Sequence, residues 1–453
     1  MGKLKEIEGS LNQPLEKEQL EKIIYNLFYI IIFLMPVIPE KIGMGIYSLK
    51  NTIFNMIAIT TSISLMLINI KNIRYYKINI YDALVIIYLI LLVISSAFSK
   101  YGFAECIFGT NGRGEGTLTM FSYLLTFVIC KNGYKYINKT FKFGFVGTII
   151  VSIYGIVQAS VPLDIKLPFG VANSLGVAEG TMGNQNFFSS YLCIFLPMLF
   201  YYFLNSKTYT SIVAIVLLFT AFIFAKTLGG YLVFAVIYCV ICIFSIIWNK
   251  QKIQVLKKIA VMTVVLASVF LFITVIKGDN YLKELSDTSE QITNLMSNDE
   301  HFGTNRLGIW KRVIMAIDNN ELIGVGPDSL SKEFRDKKYH INGDQDKLST
   351  SNVDKAHSEY LHIAVTTGIP SLLVYVVLIA IICIKLNNVV VNMKKIDKTN
   401  KNKTYITMTL IGIVSYLAQA VGNISVVQVA PIFWAIFGIG AGITLNEKTR
   451  KTE

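Results

Sequence analysis

Charge is scarce in this chain: Asp, Glu, Lys and Arg make up 16% of its 453 residues, where soluble domains run at roughly 25%. That shortage excludes an ordinary water-soluble fold. Period-two alternation of apolar residues over ~10-residue segments, the mark of a transmembrane barrel, is also missing. There is no cysteine framework. Cys130, Cys193, Cys239, Cys242 and Cys383 lie in or at the ends of apolar runs, where a thiol behaves as a small hydrophobe. Only Cys106 sits in a polar connection, and the Cys239–Cys242 spacing falls mid-run with no βαβ pattern around it, which argues against a redox or metal motif. No small-residue cleavage site follows the first apolar run. The mixed-charge start (Lys3, Lys5, Glu6, Glu8, Glu16, Lys17, Glu18, Glu21) is not that of a secretory signal, so the run is expected to remain as a span.

Apolar residues, by contrast, are abundant, at 53% of the chain with a mean hydropathy of +0.54. They fill runs of the length needed to cross ~30 Å of hydrocarbon. The pattern predicts an all-α polytopic membrane protein of about twelve spans: 22–39, 52–70, 81–98, 117–133, 143–160, 186–204, 209–225, 228–248, 257–276, 358–384, 404–422 and 428–445. Placing the N-terminus inside puts 25 of the 42 Lys and Arg in inside segments, 6 in short outside connections and 11 in one long outside segment. Long segments cross largely regardless of charge, so this is a strong positive-inside bias. It accounts for the net charge of +13 without nucleic acid.

The expected organisation is a cytoplasmic tail (1–21), nine spans (22–276), a large extracytoplasmic loop (277–357), three further spans (358–445) and a cytoplasmic tail (446–453). A connection of about 80 residues far exceeds the usual few and is expected to carry structure and function. Within it, Thr304 and Asn305 suit a helix N-cap. Leu307, Trp310, Ile314 and Ile317 then form one apolar stripe, predicting a helix on the membrane surface or capping the bundle.

All four histidines fall in this loop or at its exit. His301 and His340 read as solvated loop residues. His357 follows Ala356 where loop turns into span, a position suited to general-base work near neutral pH or to a plain interfacial hydrogen bond. Its spacing to His362 does not share a helix face, so no metal site is expected. Arg306, placed in the first turn of the loop helix, offers a guanidinium beside free N–H groups, an anion site or a solvated charge. Arg113 and Glu115 lie in GTNGRGEG (Gly109 to Gly116), which lacks the ending of a nucleotide-binding loop. They suit either a ligand turn or a mutual Arg–Glu cap. Asn184 and Asn186, in GTMGNQNFFSSYL, can bind sugar hydroxyls or cap a helix. Lys226 can snorkel to the interface or face a lipid phosphate.

Taken in order, GRGEGTLT, GTMGNQNF, NRLGIWKRVI followed by ELIGVGPDS, and AHSEYLHIAVTTGIPS resemble the O-antigen ligase/polymerase superfamily of bacterial membrane glycosyltransferases. The resemblance runs from about Gly109 to Ser371 and includes its His-[Asn/Ser/Gln]-x9-Gly pattern as His357, Ser358 and Gly368. Gln185 departs from the usual proline, and Ser371 from the usual Gly, Thr or Tyr. The resemblance implies transfer or polymerisation of a polyprenyl-diphosphate-linked glycan onto a glycan, lipid, wall or protein hydroxyl at the outer face of the cytoplasmic membrane, without metal or other cofactor. It further implies Arg306 and Arg113 on the diphosphate, His357 as base or acceptor-positioning group, and Glu115 orienting Arg113 or the acceptor. The competing readings are a lipid-linked-glycan transporter or flippase, which should hold ionisable residues within its spans, and a sensor or scaffold with a structured outer loop.

Overall fold

In hydrocarbon every backbone N–H and C=O must be satisfied within its own segment, so apolar runs become helices. The computed structural model describes residues 23–24, 26–27, 29–39, 43–44, 47–68, 78–109, 114–160, 176–206, 210–249, 251–277, 302–337, 339, 353–396 and 401–452. A π-helical turn, Ile30–Leu34, runs into Met35–Val37, followed by a two-residue antiparallel pairing of Gly43–Met44 with Tyr47–Ser48. The helices are then α1 (Leu49–Ile68), α2 (Ile80–Phe98), α3 (Phe103–Phe108), α4 (Thr117–Lys131), α5 (Ile137–Ser160), α6 (Gln185–Asn205), α7 (Thr210–Phe224) and α8 (Leu228–Trp248). After them come α9 (Lys252–Lys277), α10 (Phe302–Ile317), α11 (Leu330–Asp336), α12 (Glu359–Thr367), α13 (Ile369–Ile396), α14 (Lys401–Ala420) and α15 (Ala430–Thr452).

The described part of each expected apolar run is helical, the tenth as two helices. Among the described residues six helices are long and apolar enough to cross a membrane: α2, α5 with its leading turn, α6, α8, α9 and α13. The helices α4, α7 and the first part of α15 are apolar but shorter. Apart from the short pairing, the described elements are helical, consistent with a polytopic membrane protein. Burial separates centre from rim: the apolar window of α6 is 94% buried inside the protein, whereas that of α9 is 22% buried and turns its remaining side chains outward. Gly144 and Gly155 of α5 let Phe195 and Phe188 of α6 approach where a Cβ would collide with their rings. Lys258 of α9 donates to the free carbonyls at the end of α6 (Phe203, Leu204) and to that of Ser206.

At one end of the bundle α4 and α15 touch backbone to backbone. A Cβ at Gly442 would overlap the Lys131 carbonyl, and one at Gly438 would lie 2.5 Å from the Phe127 carbonyl. Lys131 in turn forms a buried ion pair with Asp82, which closes the capping box of α2 with Asn79.

The loop helix departs from expectation in where it starts and in which face it buries. It begins at Phe302, so Thr304 and Asn305 lie inside its first turn rather than capping it, and Arg306 falls one turn further in. Its buried stripe is Ile309, Val313, Ala316 and Ile317, with Ile314 exposed. That stripe docks on Leu330, Ala356, Ala364 and Val365. The sequence offers apolar residues on three sides of this helix, so spacing alone does not select the face; small Ala356 and Ala364 do.

The tenth span, expected as one helix over 358–384, is broken. Gly368 (φ +86°) separates α12 from α13, and a side chain there would meet the Leu322 carbonyl. The break is stitched to the turn after α10: Val325 and Gly326 N–H donate to the Val365 and Thr366 carbonyls (2.9 Å each), and Ile369 N–H to Glu321 O (2.7 Å). On the far side of this turn, the buried Glu333 carboxylate accepts from Tyr101 and Tyr339 and pairs with Lys100 and Lys337. Burial pushes this carboxyl up, but the hydrogen bonds from Tyr339, Tyr101, Lys100 and Lys337 together outweigh it and hold it at about 2.

Candidate functional site

His357 occupies a left-handed conformation (φ +49°), and the following residue, Ser358, precedes the first turn of α12. Such a backbone costs about 1–3 kcal/mol and persists only where its surroundings hold it. They do so on both sides. Two residues before, the Lys355 ammonium meets the Asp328 carboxylate at 2.7 Å, with side chains 2% and 0% exposed. Two residues after, the buried Glu359 carboxylate accepts from the hydroxyls of Tyr375 (2.7 Å) and Tyr416 (2.8 Å). The imidazole itself stays half-buried.

Arg306 reaches a different corner of the same region. Methyl groups added at Gly229 and Gly422 would sit 3.7 and 3.5 Å from its Nη1. The guanidinium therefore lies against two bare stretches of backbone, the first turn of α8 and the turn after α14. Burial lowers its pKa, although a guanidinium keeps its charge in proteins. Among the described residues no carboxylate or carbonyl pairs with it. A desolvated cation without a counter-charge is expensive, and the two glycines present bare backbone to it where side chains would otherwise stand. The N–H groups of the first turn of α8 have no acceptor within their own helix and add to the positive potential. The loop helix's own N-terminus is one turn removed and is not the source expected from the sequence.

Asn184 caps α6, accepting from the Asn186 N–H at 2.8 Å, so its side chain is committed to the helix. The Asn186 carbonyl accepts from Asn423 Nδ2 (3.1 Å), which also reaches Ser190 Oγ (2.5 Å). Thr227, at the start of α8, donates to Ser189 Oγ at 2.6 Å. The start of α6, the 226–230 turn and the 421–427 turn are thereby tied into one wall around the Arg306 guanidinium. Lys226 stands on this wall with φ +50°.

Glu115 joins the two corners. Its carboxylate, 1% exposed, accepts from Tyr123 Oη (3.0 Å) and from the Val427 N–H (2.8 Å). Burial is the main reason its carboxyl is pushed up to about 7, and Asp328 adds to the effect; Lys355, the Val427 N–H and Tyr123 pull the other way. The His357 turn, through Asp328 and Lys355, and the Arg306 wall, through Val427, thus meet at Glu115. Arg113 lies outside the described residues, as do His301 and His340. His362 is buried in α12. Among the described residues no group of three His, Cys, Asp or Glu is placed to hold a metal ion.

A carboxyl held near 7 in the fold and near 4.5 when unfolded lends its stability below about 4.5 and loses it as pH rises through about 7. Glu115→Gln, neutral and of the same shape, removes that slope. Its melting temperature changes less than that of wild type between about pH 5 and pH 8, a difference worth on the order of 3 kcal/mol. Equal slopes in the two proteins would show that Glu115 is ionised in the fold.

Lys355, Asn423 and the two glycines lie outside the motifs, and Asp328 and Glu359 stand within them without a role that the motifs assign. Their signal in the sequence is context. Asn423 stands between apolar residues in AVGNISVV, and Asp328 follows Gly-Pro directly, each a polar group where burial demands a partner.

The profile of the family described as O-Antigen ligase matches residues 213–376. The matched stretch contains α10, the Gly324–Pro327 turn and the chain from His357 to Ser371, and stops short of Gly109–Gly116 and of the start of α6. It supports membership of the O-antigen ligase superfamily and, in general terms, a glycosyltransferase-type role in polysaccharide assembly. No curated protein matches the chain.

Proposed function

We propose that this protein transfers or polymerises a polyprenyl-diphosphate-linked oligosaccharide onto an acceptor hydroxyl at the outer face of the cytoplasmic membrane, in the assembly of a cell-surface polysaccharide. The observation that carries the reading is the Arg306 guanidinium, desolvated, without a carboxylate among the described residues and backed by Gly229 and Gly422. A leaving diphosphate is the anion this chemistry would present there. In this reading both termini are cytoplasmic, the chain crosses twelve times, and the 277–357 loop faces outward, where a donor whose tail stays in lipid can lie beside it.

The acceptor oxygen attacks the anomeric carbon, the bond from that carbon to the diphosphate oxygen breaks, and the diphosphate leaves with the bonding pair. Arg306, joined by Arg113, stabilises the charge that develops on it. His357 takes the acceptor proton. Asn186, whose side chain is not drawn into the α6 cap, contacts the glycan, while Asn184 shapes the same wall. Glu115 acts through its neighbours, fixing the 427 turn and the Asp328–Lys355 pair. No metal is required by this scheme.

The test supplies purified protein, in lipid or detergent, with a polyprenyl-diphosphate-linked repeat unit and a chelator. Wild type transfers glycan, and His357→Ala does so about 10²- to 10⁴-fold more slowly. Extension of the repeat identifies a polymerase; consumption only with a separate lipid, wall or protein acceptor identifies a ligase. Absence of turnover with every acceptor, despite folded protein and bound donor, would overturn the enzyme reading in favour of transport.

A further inference from the structure

We propose that the buried Asp328–Lys355 ion pair is a positioning device for the reaction at His357, closing a ring that presents the imidazole to the acceptor. This inference rests on the functional reading above. A buried ion pair is a poor way to gain stability, since an apolar pair of the same volume often does as well or better. Its use must lie in geometry.

The geometry is a closed circuit. From α12 the chain runs back through Ser358 and His357 to Lys355. The Lys355 ammonium crosses 2.7 Å to Asp328. Asp328, itself left-handed at φ +57°, belongs to the 324–329 turn. That turn returns to α12 through Val325 N–H to Val365 O and Gly326 N–H to Thr366 O. Gly324 permits the approach, since a Cβ there would overlap the Thr366 backbone. Every link except the ion pair is backbone. Among the described residues the salt bridge is thus a side-chain closure that keeps the strained His357 turn in register with α12. Ala356, between the two, is fully buried against α10, so the turn has no slack.

Lys355→Met and Asp328→Asn each open the ring while leaving the catalytic and anion-binding groups in place. Displacement of a positioned group by about 1 Å can cost on the order of 10²-fold in rate. The expected result is a fall in kcat of about 30- to 100-fold, with the KM for the lipid-linked donor within about twofold of wild type. Hydrogen exchange in 353–358 accelerates while the rest of the bundle is unchanged. Lys355→Arg, which keeps the charge, restores kcat to within about threefold of wild type.

Two results would overturn the proposal. One is kcat within about threefold of wild type for Lys355→Met, with exchange in the turn unaltered. The other is a loss of kcat accompanied by faster exchange throughout the bundle, the behaviour of a pair that merely supports the fold. Failure of wild type to transfer any glycan overturns the functional reading instead. The exchange comparison then still judges the ring, because unaltered exchange in 353–358 overturns it with or without turnover.

Discussion

Arg306→Ala lowers kcat/KM for the lipid-linked donor by about 10²- to 10³-fold, the loss expected when one charge-assisted contact to a developing anion is removed. The same substitution leaves the fold intact and raises the melting temperature of the donor-free protein. The two effects have one cause. In the free protein the guanidinium is desolvated against Gly229 and Gly422 and no carboxylate among the described residues compensates it, so removing it relieves a penalty instead of orphaning a partner. An arginine that served the fold through an ion pair would behave in the opposite way, because its removal would strand a buried carboxylate. Arg306→Lys recovers part of the activity, since an ammonium supplies charge without the two-pronged grip on phosphate oxygens. Transfer kinetics and a thermal melt on the same preparations check the prediction. Unchanged donor kinetics, or a melting temperature that drops in Arg306→Ala, would remove the guanidinium from the site.

Gly442→Ala abolishes the folded protein. A single methyl at this position would overlap the Lys131 carbonyl, and α4 and α15 have nowhere to part, because Gly438 already holds them in backbone contact one turn away. Overpacking typically costs about 1–3 kcal/mol where side chains can shift; here the obstacle is backbone, and the cost exceeds that range. Lys131 also carries the ion pair to Asp82 and, through it, the cap of α2, so the disturbance spreads. Small residues at such contacts are the usual device for close helix approach in membranes. Gly440→Ala is the internal control. Its methyl would meet side-chain atoms of Ile413 (3.0 Å), Leu386 (3.4 Å) and Ile382 (3.6 Å) and no backbone among these nearest neighbours, so the contacts can yield. The yield of monodisperse protein after extraction and size-exclusion chromatography distinguishes them: near zero for Gly442→Ala, near wild type for Gly440→Ala. Comparable yields would mean that the two helices can separate at little cost.

What the sequence disclosed of this molecule follows from how local each signal is. The apolar runs are local, and the described part of each is helical. The short Lys226–Thr227 connection likewise separates α7 from α8, as read from the chain. His357 was conspicuous because it stands where a hydrophilic loop meets a span. By contrast, the face that α10 buries is decided by Ala356, Ala364 and Val365, residues distant in sequence. The break in the tenth span depends on a turn that begins at Glu321 and fills the room left by Gly368. A break at one glycine within an apolar stretch is invisible to hydropathy. Glu115 was noticed for its neighbour Arg113, yet the contacts that hold it come from Tyr123 and Val427, the second lying 312 residues away along the chain. The bond from Asn423 to Ser190, across 233 residues, is of the same kind. Polar pairings of this reach leave no periodicity to read.

The hydrogen bond from Val427 to Glu115 also has a bearing on biosynthesis. The segments that form the site are made in the order Glu115, Asn186, Gly229, Arg306, His357, Val427, so Val427, which donates to Glu115, leaves the ribosome after all the others. A nascent chain halted before α14 and α15 lacks the Gly422 and Asn423 turn, and with it the partner that completes the Glu115 contact.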